Sequence, residues 1–238
     1  YNYLKLFMLT IIIPLRNEYD NLGEIVNLVN AKLKDINFEL LFINDYSTDK
    51  TLERGELISK QDRRYKIYDN KKRGLGGAIN LGIKKSSGDH VSIMMADLSD
   101  DVEDLIKYYT IIKKENLDAV LGSRFIKGSK IEDYPFNKLL LNRIFNYVVK
   151  IFFFSDYNDF TNAFKIYKKS TLVSILPLVS ESFNIFLEIP LKIISRNYKY
   201  KIIPISWRNR KKGKAKFKIN ELRSKYLFTF LYCLLEKI

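Results

Sequence analysis

Three carboxylates, Asp97, Asp100 and Asp101, follow the apolar run Val91-Ser92-Ile93-Met94-Met95, and Gly88-Asp89 stands before it. A short apolar segment bounded in this way reads as a buried strand that delivers acids to its C-terminal edge. That edge is where open α/β sheets place ligands. Carboxylate oxygens there suit a hard divalent cation, and Mg²⁺ is commonly held by one or two carboxylates together with substrate phosphates. A metal-diphosphate site centred on Asp97 is one reading. The other is that the acids from Asp97 to Asp104 cap the next helix, because acidic side chains favour helix N-termini.

Composition narrows the chemistry. The 238 residues suffice for one large domain, or one domain with an appendage, and 47% hydrophobic with 29% charged residues is ordinary for a folded chain. The 41 basic and 27 acidic residues give a formal charge of +14, which favours anionic partners. Cys233 and His90 are the only residues of their types, which excludes an internal disulfide and a His/Cys metal cluster and argues against a His-based triad. Any metal here is carboxylate-bound. No cleavable signal pattern is visible, and no apolar stretch reaches the roughly 20 residues of a membrane span, so a cytoplasmic location is expected.

The elements that position these acids alternate. Leu9 to Ile13 is a β-branched run stopped by Pro14, and Leu22, Ile25, Val26, Val29 and Leu33 then recur at helical spacing, with Asn21 and Glu24 resembling a capping box. Phe38 to Ile43 reads as a second strand, ending in Asn44-Asp45-Tyr46-Ser47-Thr48-Asp49. A third, Lys66 to Tyr68, leads through Arg73-Gly74-Leu75-Gly76-Gly77 into a helix ending near Lys85. The Val91 strand, a helix over Asp101–Lys114 and a strand at Ala119 to Ser123 complete a βαβ succession with a mainly parallel sheet. Farther on, residues 138–154 form an aromatic helix expected to be core or groove lining, with an interfacial role as the alternative. A helix over Ile185–Arg196, a strand at Lys201 to Ser206, a basic loop from Arg208 to Lys218 and an apolar segment from Tyr226 to Leu235 follow.

Taken together, Ile11-Ile12-Ile13-Pro14-Leu15-Arg16-Asn17-Glu18, Ile43-Asn44-Asp45-Tyr46-Ser47-Thr48-Asp49, Arg73-Gly74-Leu75-Gly76-Gly77-Ala78 and Met95-Ala96-Asp97-Leu98-Ser99 resemble the successive motifs of family 2 glycosyltransferases. Gly122-Ser123-Arg124-Phe125, the stretch from Asp159 to Tyr167 and that from Arg210 to Phe217 are similar to those of the dolichol-phosphate mannosyltransferase and bacterial polyprenyl-phosphate glycosyltransferase branch. The resemblance runs from about Leu9 to Phe217. It implies a GT-A, Rossmann-like α/β fold over residues 1–218, with C-terminal acceptor-side helices and a basic loop, followed by an aromatic helix over 219–238.

The resemblance also implies roles. Pro14, Arg16, Glu18 and Asp45 would hold the base and ribose of a nucleotide diphosphate sugar, and Arg73, Gly74, Gly76, Arg210 and Lys216 its phosphates. Asp97 matches the second acid of the family's Asp-X-Asp motif, while Met95 occupies the first. Mg²⁺ or Mn²⁺ would then rest on Asp97, on Ser99 or a neighbouring carboxylate, and on the diphosphate. Asp159 is the candidate base or site organiser, and Arg124 and Lys165 match positions near the acceptor phosphate. The implied reaction is inverting transfer of a glycosyl group to a polyprenyl phosphate. Two alternatives stay open: a saccharide acceptor, or a non-catalytic basic protein binding nucleotides or nucleic acid, against which the absence of a nucleic-acid motif counts. The basic surface and terminal aromatic segment suit a peripheral place on the cytoplasmic membrane face, while the same segment could equally pack on the domain or bind a membrane-protein partner.

Overall fold

The structure is a computed structural model that describes residues 7–209 and 219–237. Its first half is a repeating strand-helix succession: β1 (Leu9–Leu15), α1 (Tyr19–Lys32), β2 (Phe38–Asn44), α2 (Thr51–Gln61), β3 (Tyr65–Asp69), α3 (Leu75–Lys85), β4 (His90–Ile93), α4 (Val102–Lys114) and β5 (Ala119–Ser123). The second half contains β6 (Lys130–Glu132), α5 (Phe136–Phe152), β7 (Lys165–Lys168), α6 (Lys169–Ser174), α7 (Ile185–Ser195), β8 (Tyr200–Pro204), β9 (Ser206–Arg208) and α8 (Ile219–Lys237).

Seven strands form one sheet in the order β3-β2-β1-β4-β7-β5-β8, and β6 pairs with β9 in a separate ribbon. All neighbours in the large sheet are parallel except β7, which runs antiparallel to both β4 and β5. Every parallel strand therefore ends on one edge. The order reverses beside β1 and β4, and in open α/β sheets such a reversal leaves a crevice outside the carboxyl ends of the strands.

Alternation along β1 sorts the core. Ile12 faces one apolar cluster, with Ala78, Ile79 and Ile83 of α3 and the inner residues of α7, while Leu9, Ile11, Ile13 and Leu15 face the other, with α1 and α4. Both faces of the central strands are covered, which is why their sequences are continuous apolar runs rather than alternating ones.

Two expectations are corrected and one helix is added. Asn21 and Glu24 form no capping box: α1 begins at Tyr19, its cap is Glu18, and Asn21 sits one turn inside with its amide donating to Glu18 Oε2 at 2.8 Å. Helix α2 carries little apolar signal because only Thr51 and Gly55 are buried along it, and the sequence reading leaves it out. Helix α5 is not core. Only Asn146 and Val149 of its 17 residues are buried.

Candidate active site

The ends of β2 and β4 are built alike. Asp45 follows β2 and is succeeded by Tyr46 at φ 56°, while Asp97 lies beyond β4 and is succeeded by Leu98 at φ 59°. Left-handed backbone is uncommon for residues with bulky side chains, and it persists where the surroundings over-determine it. In both places it turns the chain sharply just after a carboxylate and leaves that carboxylate at the sheet edge.

On the β3-β2-β1 side, Asp45 is buried and its Oδ1 accepts from Gly74 N at 2.8 Å and Asn70 Nδ2 at 2.9 Å. Asp45 thereby fixes the start of the glycine turn. Gly74 stands at φ 118°, a conformation that L side chains rarely adopt. Arg73 is exposed, with its guanidinium 5.7 Å from the Tyr46 ring centroid. Glu18 receives the Asn21 amide on its carboxylate, and its own N–H donates to Thr51 Oγ1 at 3.0 Å. Pro14 is buried within β1, and Arg16 is half-buried just beyond it. Pro14, Arg16, Glu18, Asp45, Arg73, Gly74 and Gly76 thus all fall at or beside the ends of β1, β2 and β3.

The acids after β4 divide their work. Asp97 Oδ1 accepts from Ser99 N at 3.1 Å and from Ser99 Oγ at 2.6 Å. Asp101 caps α4, accepting from Glu103 N at 2.9 Å. Asp104 latches the tip to β9 by accepting from Ser206 N at 2.7 Å. Asp100 is buried, and its Oδ2 accepts from Met95 N at 3.3 Å. Burial first, and then the charge of Asp97, push the Asp100 carboxyl up to about 7. Capping therefore accounts for Asp101 but not for Asp97. Asp97 and Ser99 present two oxygen donors at one turn, a hard set that fits Mg²⁺ or Mn²⁺ when phosphate and water supply the remaining positions. Among the described residues, no three His, Cys, Asp or Glu side chains gather into a metal-binding group.

On the β5 side the charges are buried and paired. The Asp159 carboxylate, fully buried, accepts from Arg124 N at 2.9 Å, Nε at 2.8 Å and Nη2 at 2.7 Å. Rings of Phe125, Tyr134 and Trp207 surround the guanidinium, with centroids 5.2, 5.5 and 5.6 Å away. Burial works against the Arg124 charge, but the charge and hydrogen bonds of Asp159 overcome it and raise the guanidinium pKa. Trp207 also bridges to Asp100, and Arg208 N donates to Ser99 O at 3.1 Å, so β9 ties Arg124 to the Asp97 tip. Lys165 lies deeper, with no exposed surface. Its ammonium donates to the carbonyls of Phe160 (3.0 Å), Asn162 and Phe186 (3.4 Å), and burial lowers its pKa to about 7.

Arg210 and Lys216 lie outside the described residues. Asp100, Tyr134 and Trp207 escaped the sequence reading as site residues. Trp207 is the single tryptophan and sits at the start of the basic loop, which was the one available signal.

A family model, glycosyl transferase family 2, matches residues 10–176. The dolichol-phosphate mannosyltransferase of Pyrococcus furiosus is 30% identical over 226 residues, which is 93% of this chain and 61% of that protein. The polyprenol monophosphomannose synthase of Mycolicibacterium smegmatis is 23% identical over 220 residues, 90% of this chain and 82% of that protein. The fold is shared with a solved structure of glucosyl-3-phosphoglycerate synthase from Mycobacterium tuberculosis in complex with Mn²⁺, UDP-glucose and phosphoglyceric acid. The TM-score is 0.77 at 13% identity, covering 96% of this chain and 80% of that one. With acids at the ends of the parallel strands, a glycine turn fixed by Asp45 and a family model spanning the sheet through β7, the chain belongs to glycosyl transferase family 2 and has the GT-A fold.

Proposed function

We propose that this enzyme transfers a glycosyl group, with inversion, from a nucleotide diphosphate sugar to a polyprenyl phosphate. The observation that carries the reading is the buried Arg124–Asp159 pair at the end of β5, tied through Trp207 to the Asp97 tip. Asp45 and the glycine turn would receive the nucleotide and diphosphate on the β3-β2-β1 side, with Arg73 adding positive charge. Asp97 and Ser99 would hold Mg²⁺ or Mn²⁺. When bound, that cation supplies positive charge to the departing diphosphate.

Arg124 is the acceptor-phosphate group in this reading. Asp159 takes its Nε–Nη2 edge, so the Nη1 edge would meet a phosphate oxygen. Asp159 is then an organiser: it holds the guanidinium charged and oriented against the cost of burial. A phosphate acceptor is already anionic and attacks without a strong general base, which suits a site whose buried carboxylate is committed to an arginine. With its ammonium on three backbone carbonyls, Lys165 supports the loop from Phe160 to Asn162, and the acceptor phosphate falls to Arg124.

A bilayer-borne acceptor calls for a surface that meets the bilayer. Phe136, Leu140, Ile144, Tyr147, Ile151 and Phe152 of α5 are each about half exposed or more, and at 100° per residue they fall within an arc of about 160°. The helix has three cations, Lys138, Arg143 and Lys150, and no acid. Leu227, Phe228, Leu231 and Leu235 of α8 are exposed too, and the Phe145–Tyr226 and Phe152–Phe230 ring contacts join the two helices. A broad apolar arc flanked by cations is how helices lie in an anionic interface. No helix among the described residues is long and apolar enough to cross a membrane. Arg143 stacks on Phe125, 4.6 Å from its centroid, which brings this surface next to Arg124.

The test is calorimetric titration with UDP and GDP in Mg²⁺, Mn²⁺ and chelator, followed by transfer to a short polyprenyl phosphate. Metal-dependent binding of one nucleotide and glycosyl transfer to the lipid phosphate are expected. Transfer only to a water-soluble saccharide would select the other acceptor class. Equal, metal-independent and salt-labile binding of both nucleotides would overturn the donor site.

A further inference from the structure

Helix α7 is apolar over Ile185 to Ile193 apart from an acid and a base four residues apart, Glu188 and Lys192, and both are buried. Apolar side chains of similar volume pack in such positions without the cost of burying ions. The ion pair has a local task. Glu188 Oε1 accepts from Val179 N at 2.9 Å and Oε2 from Ser180 N at 2.8 Å, and Lys192, 3.1 Å from Glu188, donates to Pro177 O at 2.7 Å. Asn184 adds a second tie. Its amide donates to Ser180 Oγ at 2.9 Å and to Thr229 Oγ1 of α8 at 2.8 Å, while its carbonyl accepts from Ser182 N at 3.2 Å. Ser180, Asn184 and Thr229 are all buried.

The segment held in this way is the wall of the glycine turn. Gly76 N donates to Glu181 O at 3.1 Å. A Cβ on Gly76 would lie 1.9 Å from Ser180 O, and one on Gly74 2.7 Å from Glu181 O. The turn is therefore closed between Asp45 Oδ1 on one side and the Ser180–Glu181 backbone on the other. Its glycines are required first by the chain's own backbone.

We infer that Asn184, Glu188 and Thr229 are positioning residues for the donor site, setting through Ser180–Glu181 where the glycine turn stands against the donor phosphates. The inference rests on the donor-site reading proposed above. Helix α8 thus reaches the donor site from within through Thr229, while its outer apolar face is turned to solvent. Misplacement by about 1 Å, even from a residue remote from the chemistry, can lower rates by as much as about a hundredfold, so a wall tied at several buried points has a clear use.

Thr229→Val keeps the side-chain volume and removes the hydroxyl that Asn184 donates to; Thr229→Ser restores it. Hydrogen exchange at the Gly76 amide reads the wall with no substrate present, and nucleotide affinity with the split of KM and kcat reads its consequence. Thr229→Val is expected to speed Gly76 exchange about tenfold and to raise the donor Kd and KM about three- to tenfold. The acceptor KM should stay within about twofold, and Thr229→Ser should return both readouts to wild type. Asn184→Ser serves in the same way should Thr229→Val fail to fold. Folded variants with wild-type donor Kd overturn the inference, whatever Gly76 exchange does. Failure of the donor reading looks different: the wild-type protein itself then binds neither UDP nor GDP, and the inference falls with it.

Discussion

Asp45 and Asp159 are both buried carboxylates at the edge of one sheet, yet they are partnered differently. Asp45, on the β3-β2-β1 side, takes a backbone N–H and an amide, from Gly74 and Asn70, and no cation is bonded to it among the described residues. Asp159, on the β5 side, takes three hydrogen bonds from Arg124, two of them from the guanidinium. A carboxylate bonded to neutral donors keeps its negative charge for the site, and a nearby turn can use it as a fixed acceptor. One locked to an arginine gives up that charge and instead fixes a cation among aromatic rings. The first arrangement suits sugar hydroxyls and a turn that must stand close to a diphosphate. The second suits an anion arriving from the other side.

The largest effect should come from the seam between the two sides. Asp97→Asn keeps the side-chain shape and is expected to lower kcat about a thousandfold or more with the thermal midpoint little changed. An active, folded Asp97→Asn enzyme would remove the proposed role. Next, loss of each buried carboxylate should separate the sides in stability. Asp159→Ala leaves a buried guanidinium without its partner and should cost about 3–5 kcal/mol. Asp45→Ala leaves only neutral donors unsatisfied and should cost about 1–3 kcal/mol by denaturant unfolding. Equal losses would blur the distinction.

Much of this division is legible in the amino-acid sequence. Strands β1 to β5 announce themselves as short apolar runs followed by polar tips, and five of the tip residues, Asp45, Arg73, Gly74, Asp97 and Arg124, end on the same edge. Other features are hidden for physical reasons. The commitment of Asp159 to Arg124 and of Lys165 to three carbonyls depends on non-local packing, so the sequence shows charged residues without their partners. Asp97 and Asp101 look equivalent in sequence, and only the φ of 59° at Leu98 and the start of α4 at Val102 divide the acid left at the sheet edge from the cap. The face of α5 misleads for the opposite reason: its aromatic and aliphatic residues read as core, but its buried side carries Asn146 and its apolar side lies open. Besides the single tryptophan, the sequence holds a second unused signal, the Glu188/Lys192 pair at helical spacing inside an apolar run.

Two smaller effects sharpen the comparison. The Lys165 pKa is lowered to about 7 by burial, so between roughly pH 7 and 10 the unfolded chain binds more protons there than the folded one. This group's contribution to stability therefore rises with pH across that window and is flat below it. The Tm difference between wild type and Lys165→Met should shift in favour of wild type from pH 7 to 9.5, and a constant difference would show that Lys165 keeps an ordinary pKa. Smallest in stability is the outer face of α5. Leu140→Ser with Ile144→Ser should change unfolding free energy by about 0.5 kcal/mol or less per site, yet reduce sedimentation with vesicles containing phosphatidylglycerol. Unchanged vesicle binding would take α5 out of the proposed bilayer contact.

The central claim is that the two sides of the sheet hold different substrates, and a crossed measurement tests it most directly. Asp45→Asn and Arg124→Gln would be compared for nucleotide Kd by calorimetry and for lipid-phosphate KM and kcat in steady-state transfer. The account predicts that Asp45→Asn weakens nucleotide binding about tenfold or more with acceptor KM little changed, and that Arg124→Gln does the reverse. If both variants lost nucleotide affinity alike, or if Arg124→Gln transferred to polyprenyl phosphate with wild-type KM and kcat, the division of the site into donor and acceptor sides would be contradicted.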